Sequence, residues 1–239
     1  MYKVLLKRIA VEFIAILLIC SCSVPGVDET PTKKLTSIVR IQQPEGNTCA
    51  ATCVKMIMDY YYGHSEDIYT IFQKVSNLSS QGRLVNSDNK VAQYFENNGL
   101  YSSLIRFTDL ETILNYCEDN QIPAIMCIQD VKNNLLGHAV IFIQYIKDKG
   151  LIRIIDPKDG SREWVSFNEL ENSFIKVSPN AEVSGNGIIL PSKTLIHKGE
   201  YTCLNCGKKK NVDVEILHAI QYIYCNNCFS TYYMIKYVN

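Results

Sequence analysis

The spacing of apolar residues changes partway along the chain, and this change constrains the fold more than any other feature of the sequence. Helical spacing comes first and predicts helices at Cys49–Tyr62, Ser65–Val75, Asn89–Asn97 and Thr108–Asn120. β-Rich apolar runs follow and predict strands at Ala124–Ile128, Ala139–Ile146, Leu151–Ile155 and Gly187–Leu190. Helices followed by an antiparallel sheet are typical of the α+β class, so we predict that class.

Length and charge bound the possible functions. The 239 residues are enough for one substantial domain with a small addition. Basic and acidic residues number 24 each, so the whole chain has no electrostatic attraction for nucleic acid, and we expect no nucleic-acid partner. Four segments are predicted, namely a signal peptide at 1–22, a tether at 23–34, a main domain at 35–192 and a small module at 196–239.

The N-terminal segment has the pattern of a bacterial export signal. Three basic residues precede an apolar stretch from Ile9 to Ile19, which only Glu12 interrupts and which is short for a membrane span. Cys22 follows the small residue Ser21, as in the lipobox of lipoproteins, and fits that pattern better than Cys20. We therefore expect an exported lipoprotein, held at the extracytoplasmic face of the membrane through Cys22. A simple secretory signal or an uncleaved anchor is the alternative.

One cysteine of the main domain stands where a thiol is activated. Cys49 opens the first predicted helix, directly after the candidate N-cap Thr48. Helix N-termini favour anions, and the thiolate is the nucleophilic form of cysteine. Cys53, Cys117 and Cys127 lie at apolar positions inside predicted elements, so we interpret them as core filling. Cys49 is the candidate nucleophile, although a cysteine at a helix start is more often structural.

A histidine and an aspartate in consecutive predicted strands can complete the site. His138 opens one strand after Gly137, and Asp156 closes the next. If these strands pair across the turn Lys147–Gly150, Asp156 comes near His138 and can orient its imidazole. Taken singly, Cys49, His138 and Asp156 each have an ordinary structural explanation. Their order along the chain, a cysteine at a helix start followed by a histidine and an aspartate in consecutive strands, makes the catalytic interpretation the stronger one.

Several short motifs together carry a resemblance to a known family. They are Gln43, the helix start Asn47-Thr48-Cys49, the strand start Gly137-His138 and the strand end Asp156-Pro157. In this order they resemble the bacteriocin-processing (double-glycine leader) peptidases and their stand-alone relatives, which are papain-like cysteine peptidases. The resemblance covers roughly Ile38–Ile175.

The resemblance implies a papain-like fold and a role for each motif residue. Cys49 would be the nucleophile, His138 the general base and acid, and Asp156 the orienting group. Gln43 would donate a hydrogen bond into the oxyanion hole together with the backbone N–H of Cys49. The implied activity is hydrolysis of a peptide or protein substrate through a thioester acyl-enzyme, with no cofactor needed for catalysis.

The chain departs from the family pattern on both sides of the nucleophile. The family usually has glycine after the cysteine and often aspartate or another polar residue before it, whereas this chain has Ala50 and Thr48. Two alternatives therefore stay open at this point. One is a catalytically inactive, peptide-binding lipoprotein of the same fold, and the other is a papain-like acyltransferase or amidase.

Four further cysteines form two CxxC pairs near the C-terminus. Cys203 and Cys206 are separated from Cys225 and Cys228 by 18 residues. This spacing is typical of one structural zinc ion held by four thiolates, and the module resembles a zinc ribbon. Disulfides are the main alternative outside the cytoplasm, and a catalytic dithiol is a lesser one. The basic run Lys208–Lys210 is interpreted as a solvated turn rather than a nucleic-acid contact.

Overall fold

The computed structural model describes residues 33–78, 82–130, 133–175, 187–228, 230 and 233–236. The predicted signal peptide, the lipobox Cys22 and nearly all of the predicted tether lie outside these residues. Among the described residues, no helix is both long and apolar enough to cross a bilayer.

The described residues contain five α-helices. They are α1 (Cys49–Tyr62), α2 (Ile68–Val75), α3 (Asp88–Asn97), α4 (Leu110–Asp119) and α5 (Phe167–Ser173). Helix α1 is almost entirely buried and packs against α2 and a strand of the main sheet. It ends at Gly63, whose φ of 85° is accessible to glycine at little cost. The predicted bounds of α1 are those observed.

The starts of three helices differ from the sequence prediction, and that of α3 differs by one residue, since α3 begins at Asp88 rather than Asn89. Helix α2 begins at Ile68 rather than Ser65, because the carboxylate of Asp67 accepts the N–H of Thr70 and caps the helix there. Helix α4 is capped by Asp109, which accepts the N–H of Thr112 at 3.1 Å. Asp caps a helix at least as well as Ser or Thr. The sequence alone therefore did not show which of the neighbouring candidate residues caps each helix.

The chain also forms twelve strands within the described residues. They are β1 (Ser76–Leu78), β2 (Leu84–Asn86), β3 (Tyr101–Phe107), β4 (Ala124–Asp130), β5 (Asn133–Ile146), β6 (Leu151–Asp156), β7 (Ser161–Ser166), β8 (Gly187–Ser192), β9 (Lys198–Cys203), β10 (Lys209–Asp213), β11 (Ile220–Ile223) and β12 (Tyr233–Lys236). Seven of them form the main sheet in the order β11-β3-β8-β4-β5-β6-β7, with every pair antiparallel. The predicted α+β class with a large antiparallel sheet is confirmed.

The C-terminal strands divide between two sheets. Strands β9, β10 and β12 form a three-stranded antiparallel sheet with β9 in the middle. Strand β11 instead pairs with β3, where Ile223 lies opposite Ile105 and extends the edge of the main sheet. Ala219, just before β11, accepts the N–H of Thr108 at 2.8 Å. The C-terminal segment is thus hydrogen-bonded directly into the main sheet.

Candidate active site and cysteine cluster

Cys49 is the first residue of α1 and is 96% buried, with 4% of its surface exposed. The hydroxyl of the preceding residue, Thr48, donates to the carbonyl of Glu45 at 2.8 Å and makes no capping bond to the helix. The amide groups of the first turn of α1 therefore have no side-chain cap from Thr48. Free N–H groups at a helix N-terminus attract negative charge, so the first turn of α1 can stabilise an anion such as a thiolate.

His138 and Asp156 lie on the neighbouring strands β5 and β6, and their side chains meet. The Nε2 atom of His138 is 2.7 Å from the Oδ1 atom of Asp156. The same carboxylate oxygen accepts the backbone N–H of Lys158 at 2.8 Å, which holds it in place. Pairing of β5 with β6 across the turn Lys147–Gly150, as the sequence predicted, brings the two residues together.

The imidazole of His138 also interacts with Cys49. Burial alone lowers the pKa of His138, but hydrogen bonds with Asp156 and Cys49 and the negative charge of both groups outweigh it and raise that pKa to about 10. The structure therefore joins three residues from distant parts of the chain in one cluster around the ring.

Gln43 lies in the loop before α1 and is tied to the turn after Asp156. Its backbone N–H donates to the carbonyl of Pro157 at 2.7 Å. Its side-chain amide donates to the carbonyl of Glu45 at 2.8 Å, and its Oε1 atom is buried without a protein hydrogen-bond partner. One of the two amide hydrogens is thus engaged by the chain itself, and the oxyanion role of Gln43 stays a prediction.

The other three cysteines of the main domain are buried, and the thiol of Cys127 donates to the carboxylate of Asp88 at 3.6 Å. Burial raises the pKa of the thiols of Cys53, Cys117 and Cys127. The thiol of Cys53, one helical turn after Cys49, donates to the carbonyl of Ala139 at 3.5 Å. These positions agree with their interpretation as core filling.

A positioning residue that the sequence analysis did not single out is Asn86, at the end of β2. Its side-chain amide donates to the carbonyl of Asn47 at 2.7 Å, two residues before Cys49. Asn86 is 3% exposed, and its own oxygen is buried without a protein partner. No motif or spacing marks an isolated asparagine of this kind, because its role depends on a contact between segments 39 residues apart.

The four C-terminal cysteines converge. Their sulfur atoms all lie within 4.8 Å of one another, with Cys203 Sγ 3.5 Å from Cys228 Sγ and Cys206 Sγ 3.8 Å from Cys225 Sγ. A disulfide requires about 2.05 Å, whereas four thiolates around zinc at about 2.3 Å are separated by about 3.8 Å. The cluster therefore has the size of a four-thiolate metal site, and its donor atoms suit a soft metal ion.

Side chains of the main domain hold the cysteine module in place. Lys210 pairs with Glu96 of α3 and also donates to the carbonyl of Ser102. It lies in β10 with a side chain only 13% exposed, so the interpretation of Lys208–Lys210 as a solvated turn is wrong for Lys210. Asp213 is buried and accepts the hydroxyl of Tyr116 on α4 at 2.8 Å and the N–H of Ile196 at 2.7 Å. These contacts fix both ends of β10 against the main domain.

Comparison with known proteins adds four findings. The profile of the peptidase C39 family matches residues 37–180. A double glycine motif protease from an AMS/PCAT transporter, solved in complex with the leader peptide, is 18% identical over 67% of this chain and 96% of its own, with a TM-score of 0.46. The peptidase domain of Streptococcus ComA, a bi-functional ABC transporter involved in quorum sensing, is 16% identical over 65% of this chain and 98% of its own, with a TM-score of 0.48. No curated protein matches the chain.

Proposed function

Because this chain belongs to the peptidase C39 family, we propose that Cys49 is its nucleophile, His138 its general base and acid, and Asp156 the group that orients the imidazole. Membership of the family makes the chain a cysteine peptidase of the papain-like fold. It also confirms the resemblance drawn from the motifs around Cys49 and His138.

The observation that carries the proposal is the environment of His138. Its ring is buried, hydrogen-bonds Asp156 through Nε2 and interacts with Cys49. Because Nε2 contacts Asp156, Nδ1 is the ring nitrogen that remains to interact with the Sγ atom of Cys49. The raised pKa keeps the imidazole protonated at neutral pH, which favours an ion pair with the thiolate of Cys49.

The reaction follows from these roles. The thiolate attacks the carbonyl carbon of the scissile amide and forms a tetrahedral oxyanion. His138 then gives its proton to the leaving amine, and the C–N bond breaks to leave a thioester on Cys49. The neutral imidazole takes a proton from water as that water attacks the thioester, and the acid product and the thiolate are released.

The oxyanion needs hydrogen-bond donors, and two stand close to the nucleophile in sequence. The backbone N–H of Cys49 at the start of α1 is one, and the side-chain amide of Gln43 is the other. One amide hydrogen of Gln43 is used by Glu45, so the second hydrogen is the one offered to the oxyanion. Each such donor contributes roughly a hundredfold or more to the rate.

We also propose the substrate class and the cellular location. The related double glycine motif protease was solved with a leader peptide, and a peptide segment is the substrate proposed for this chain. The basic residues, the apolar stretch and Ser21-Cys22 support export and lipid attachment at Cys22. Metabolic labelling with a fatty acid, lost in a Cys22→Ser chain, tests the attachment.

The four-cysteine cluster is proposed to hold one structural zinc ion. Cys203, Cys206, Cys225 and Cys228 would fill all four positions of a tetrahedral site. Such a closed site leaves no position for water or substrate, so the metal would stabilise the fold and take no part in hydrolysis.

Selective alkylation of the full chain tests the catalytic assignment. A limiting amount of iodoacetamide, with the modified cysteine located by mass spectrometry, should label Cys49 first. Labelling should slow at least about tenfold in a His138→Ala chain, because the thiolate loses its partner. The matched control is His64→Ala, which removes an exposed histidine.

Two outcomes count against the assignment. One is labelling of Cys49 no faster than that of Cys206, the exposed cysteine of the metal cluster. The other is a rate at Cys49 that does not depend on His138. Hydrolysis of a quenched fluorescent peptide library that survives Cys49→Ala would contradict it as well.

A further inference from the structure

A cavity of about 710 Å³ lies beside His138 and Asp156. Its floor is apolar and is formed by four buried side chains, Ile128, Val140, Ile154 and Leu170. Side chains two residues apart on a strand share a face, so Val140 lies on the same face as His138, and Ile154 on the same face as Asp156. The cavity is therefore continuous with the face of the sheet that carries the two proposed catalytic side chains.

The rim of this cavity is acidic. Among the described residues that line it, the carboxylates of Asp159, Glu163 and Glu169 stand against one ammonium group, that of Lys158. The carboxyl of Glu163 accepts the hydroxyl of Ser161 at 3.1 Å, and that of Glu169 accepts the hydroxyl of Ser166 at 2.8 Å. Neutral donors hold the carboxylates of Glu163 and Glu169 in place and leave the charge of these two groups intact. Since the whole chain has equal numbers of acidic and basic residues, this excess is local.

We propose that this cavity is a specificity subsite, which binds a large apolar side chain of the peptide substrate and selects for lysine or arginine next to it. The apolar residue fills the floor above Ile154 and Leu170, and the basic residue meets Glu163 at the rim. The inference rests on the proposed peptidase function, because the cavity matters for specificity only if the adjoining imidazole acts on a peptide.

Both parts of the proposed ligand follow from the lining. A floor of aliphatic side chains gains free energy by removing a large apolar side chain from water, and it offers no partner to a polar one. Carboxylates at an open rim discriminate by sign, attracting a basic residue and repelling an acidic one. A basic side chain also reaches such a rim easily, because its aliphatic stem can lie along the apolar wall.

Strand pairing places Glu163 on the face of the sheet that carries the apolar floor. Ile154 lies directly opposite Glu163 in the pairing of β6 with β7, so the two side chains share a face. The next pair, Arg153 and Trp164, points to the other face, where the guanidinium group lies 5.4 Å from the centre of the indole ring. Because the indole lies away from the floor, occupancy of the cavity is measured by isothermal titration calorimetry, which needs no turnover.

The test uses the full chain with Cys49→Ala, titrated with three blocked peptides. The peptides share one sequence around a central leucine and differ only in the flanking residue, which is lysine, glutamine or glutamate. We expect the lysine peptide to bind several-fold more tightly than the glutamate peptide at low ionic strength, with glutamine between them. The difference should shrink in high salt, because exposed charges are screened.

A charge reversal locates the discriminating group. Glu163→Lys should abolish or invert the preference between the lysine and glutamate peptides. The matched control is Glu171→Lys, the same change at an exposed position of α5 that does not line the cavity, and it should leave the preference as it was. Leu170→Ala should weaken the binding of all three peptides by the same factor, because the apolar floor does not distinguish between charges.

The outcomes separate this inference from the proposed function. Equal affinity for the three peptides, a preference for glutamate, or no calorimetric binding of any peptide overturns the subsite. None of these results touches the alkylation test, which decides independently whether Cys49 and His138 act together. A preference for lysine that survives Glu163→Lys overturns the assignment of the rim.

Discussion

The backbone N–H of Gln43 donates to the carbonyl of Pro157 at 2.7 Å, so the loop before Cys49 is hydrogen-bonded to the turn after Asp156. The two segments lie toward opposite ends of the region that matches the peptidase C39 family, residues 37–180. A single backbone bond therefore couples the position of the proposed oxyanion donor to that of the proposed orienting carboxylate. Changes in this turn should reach the active site without altering any proposed catalytic residue.

Gly160→Ala tests that coupling. Gly160 has a φ of 69°, and an added Cβ would stand 3.3 Å from the backbone nitrogen of Gln42. We expect a loss of about 1 kcal/mol in the free energy of unfolding from the left-handed backbone, together with a reduced kcat. Gly150→Ala is the control, since its φ is 57° but no atom lies within 4 Å of the added Cβ. The Gly150→Ala chain should lose a similar amount of stability and keep its kcat. Equal kcat values in the Gly160→Ala and Gly150→Ala chains would contradict the coupling.

Asp156→Asn should lower kcat by at least about a hundredfold while the chain stays folded. The amide keeps the volume and can still accept the N–H of Lys158, but it removes the charge that stabilises the protonated imidazole. Steady-state kinetics and circular dichroism measure the two effects. Asp148→Asn, in the exposed turn before β6, is the control. Activity that is equal in the two variants would exclude an orienting role for Asp156.

The pKa of His138 predicts how stability depends on pH. It is raised from 6.5 to about 10 in the folded chain, so the folded state holds a proton that the unfolded state releases. This contribution is complete below pH 6.5 and is lost as the pH rises to about 10. Between these limits it makes the unfolding free energy fall by about 1.4 kcal/mol per pH unit at most.

Denaturant unfolding between these pH values, compared with a His138→Gln chain, measures that contribution. The stability advantage of the unmodified chain should be largest near neutral pH and should shrink toward pH 10. A difference that is constant over the range would mean that His138 takes up no proton on folding.

Cys53→Ala should separate the two cysteines at the start of α1. The thiol of Cys53 is buried and donates to Ala139, so its removal should cost about 1 kcal/mol through lost packing and a lost weak bond. The Cys53→Ala chain should still hydrolyse peptides, and its Cys49 should still be alkylated. Thermal unfolding and probe stoichiometry measure the two results, and loss of labelling in a folded Cys53→Ala chain would reassign the reactive thiol.

Metal removal should loosen the C-terminal strands. A chelator, or Cys206→Ser, is expected to abolish binding of one zinc ion per chain and to increase hydrogen exchange in β9, β10 and β11. Strands β5 and β6 in the middle of the sheet should stay protected. Elemental analysis gives the stoichiometry. An intact mass lower by four hydrogens, with no bound metal, would instead indicate two disulfides in the cluster.

Much of the local structure was readable from single segments. Gly63 ends α1 where the helical spacing ends, and the capping box of α5 is formed by Ser166 and Glu169, which are only three residues apart. The turn Lys147–Gly150 predicted which strands pair, and through them the meeting of His138 with Asp156. These features depend on residues close together in sequence, where spacing and turn chemistry carry the information.

The sequence by itself determined the α+β class, the candidate nucleophile at a helix start and the four-cysteine cluster, because each follows from periodicity or from a short spacing. Only the tertiary structure decided that β11 pairs with β3, that Asn86 holds the loop before Cys49, and that an acidic rim surrounds an apolar floor beside His138. The physical reason is that strand edges, buried amides and cavity walls are completed by whichever distant segment packs there. No local pattern specifies that partner.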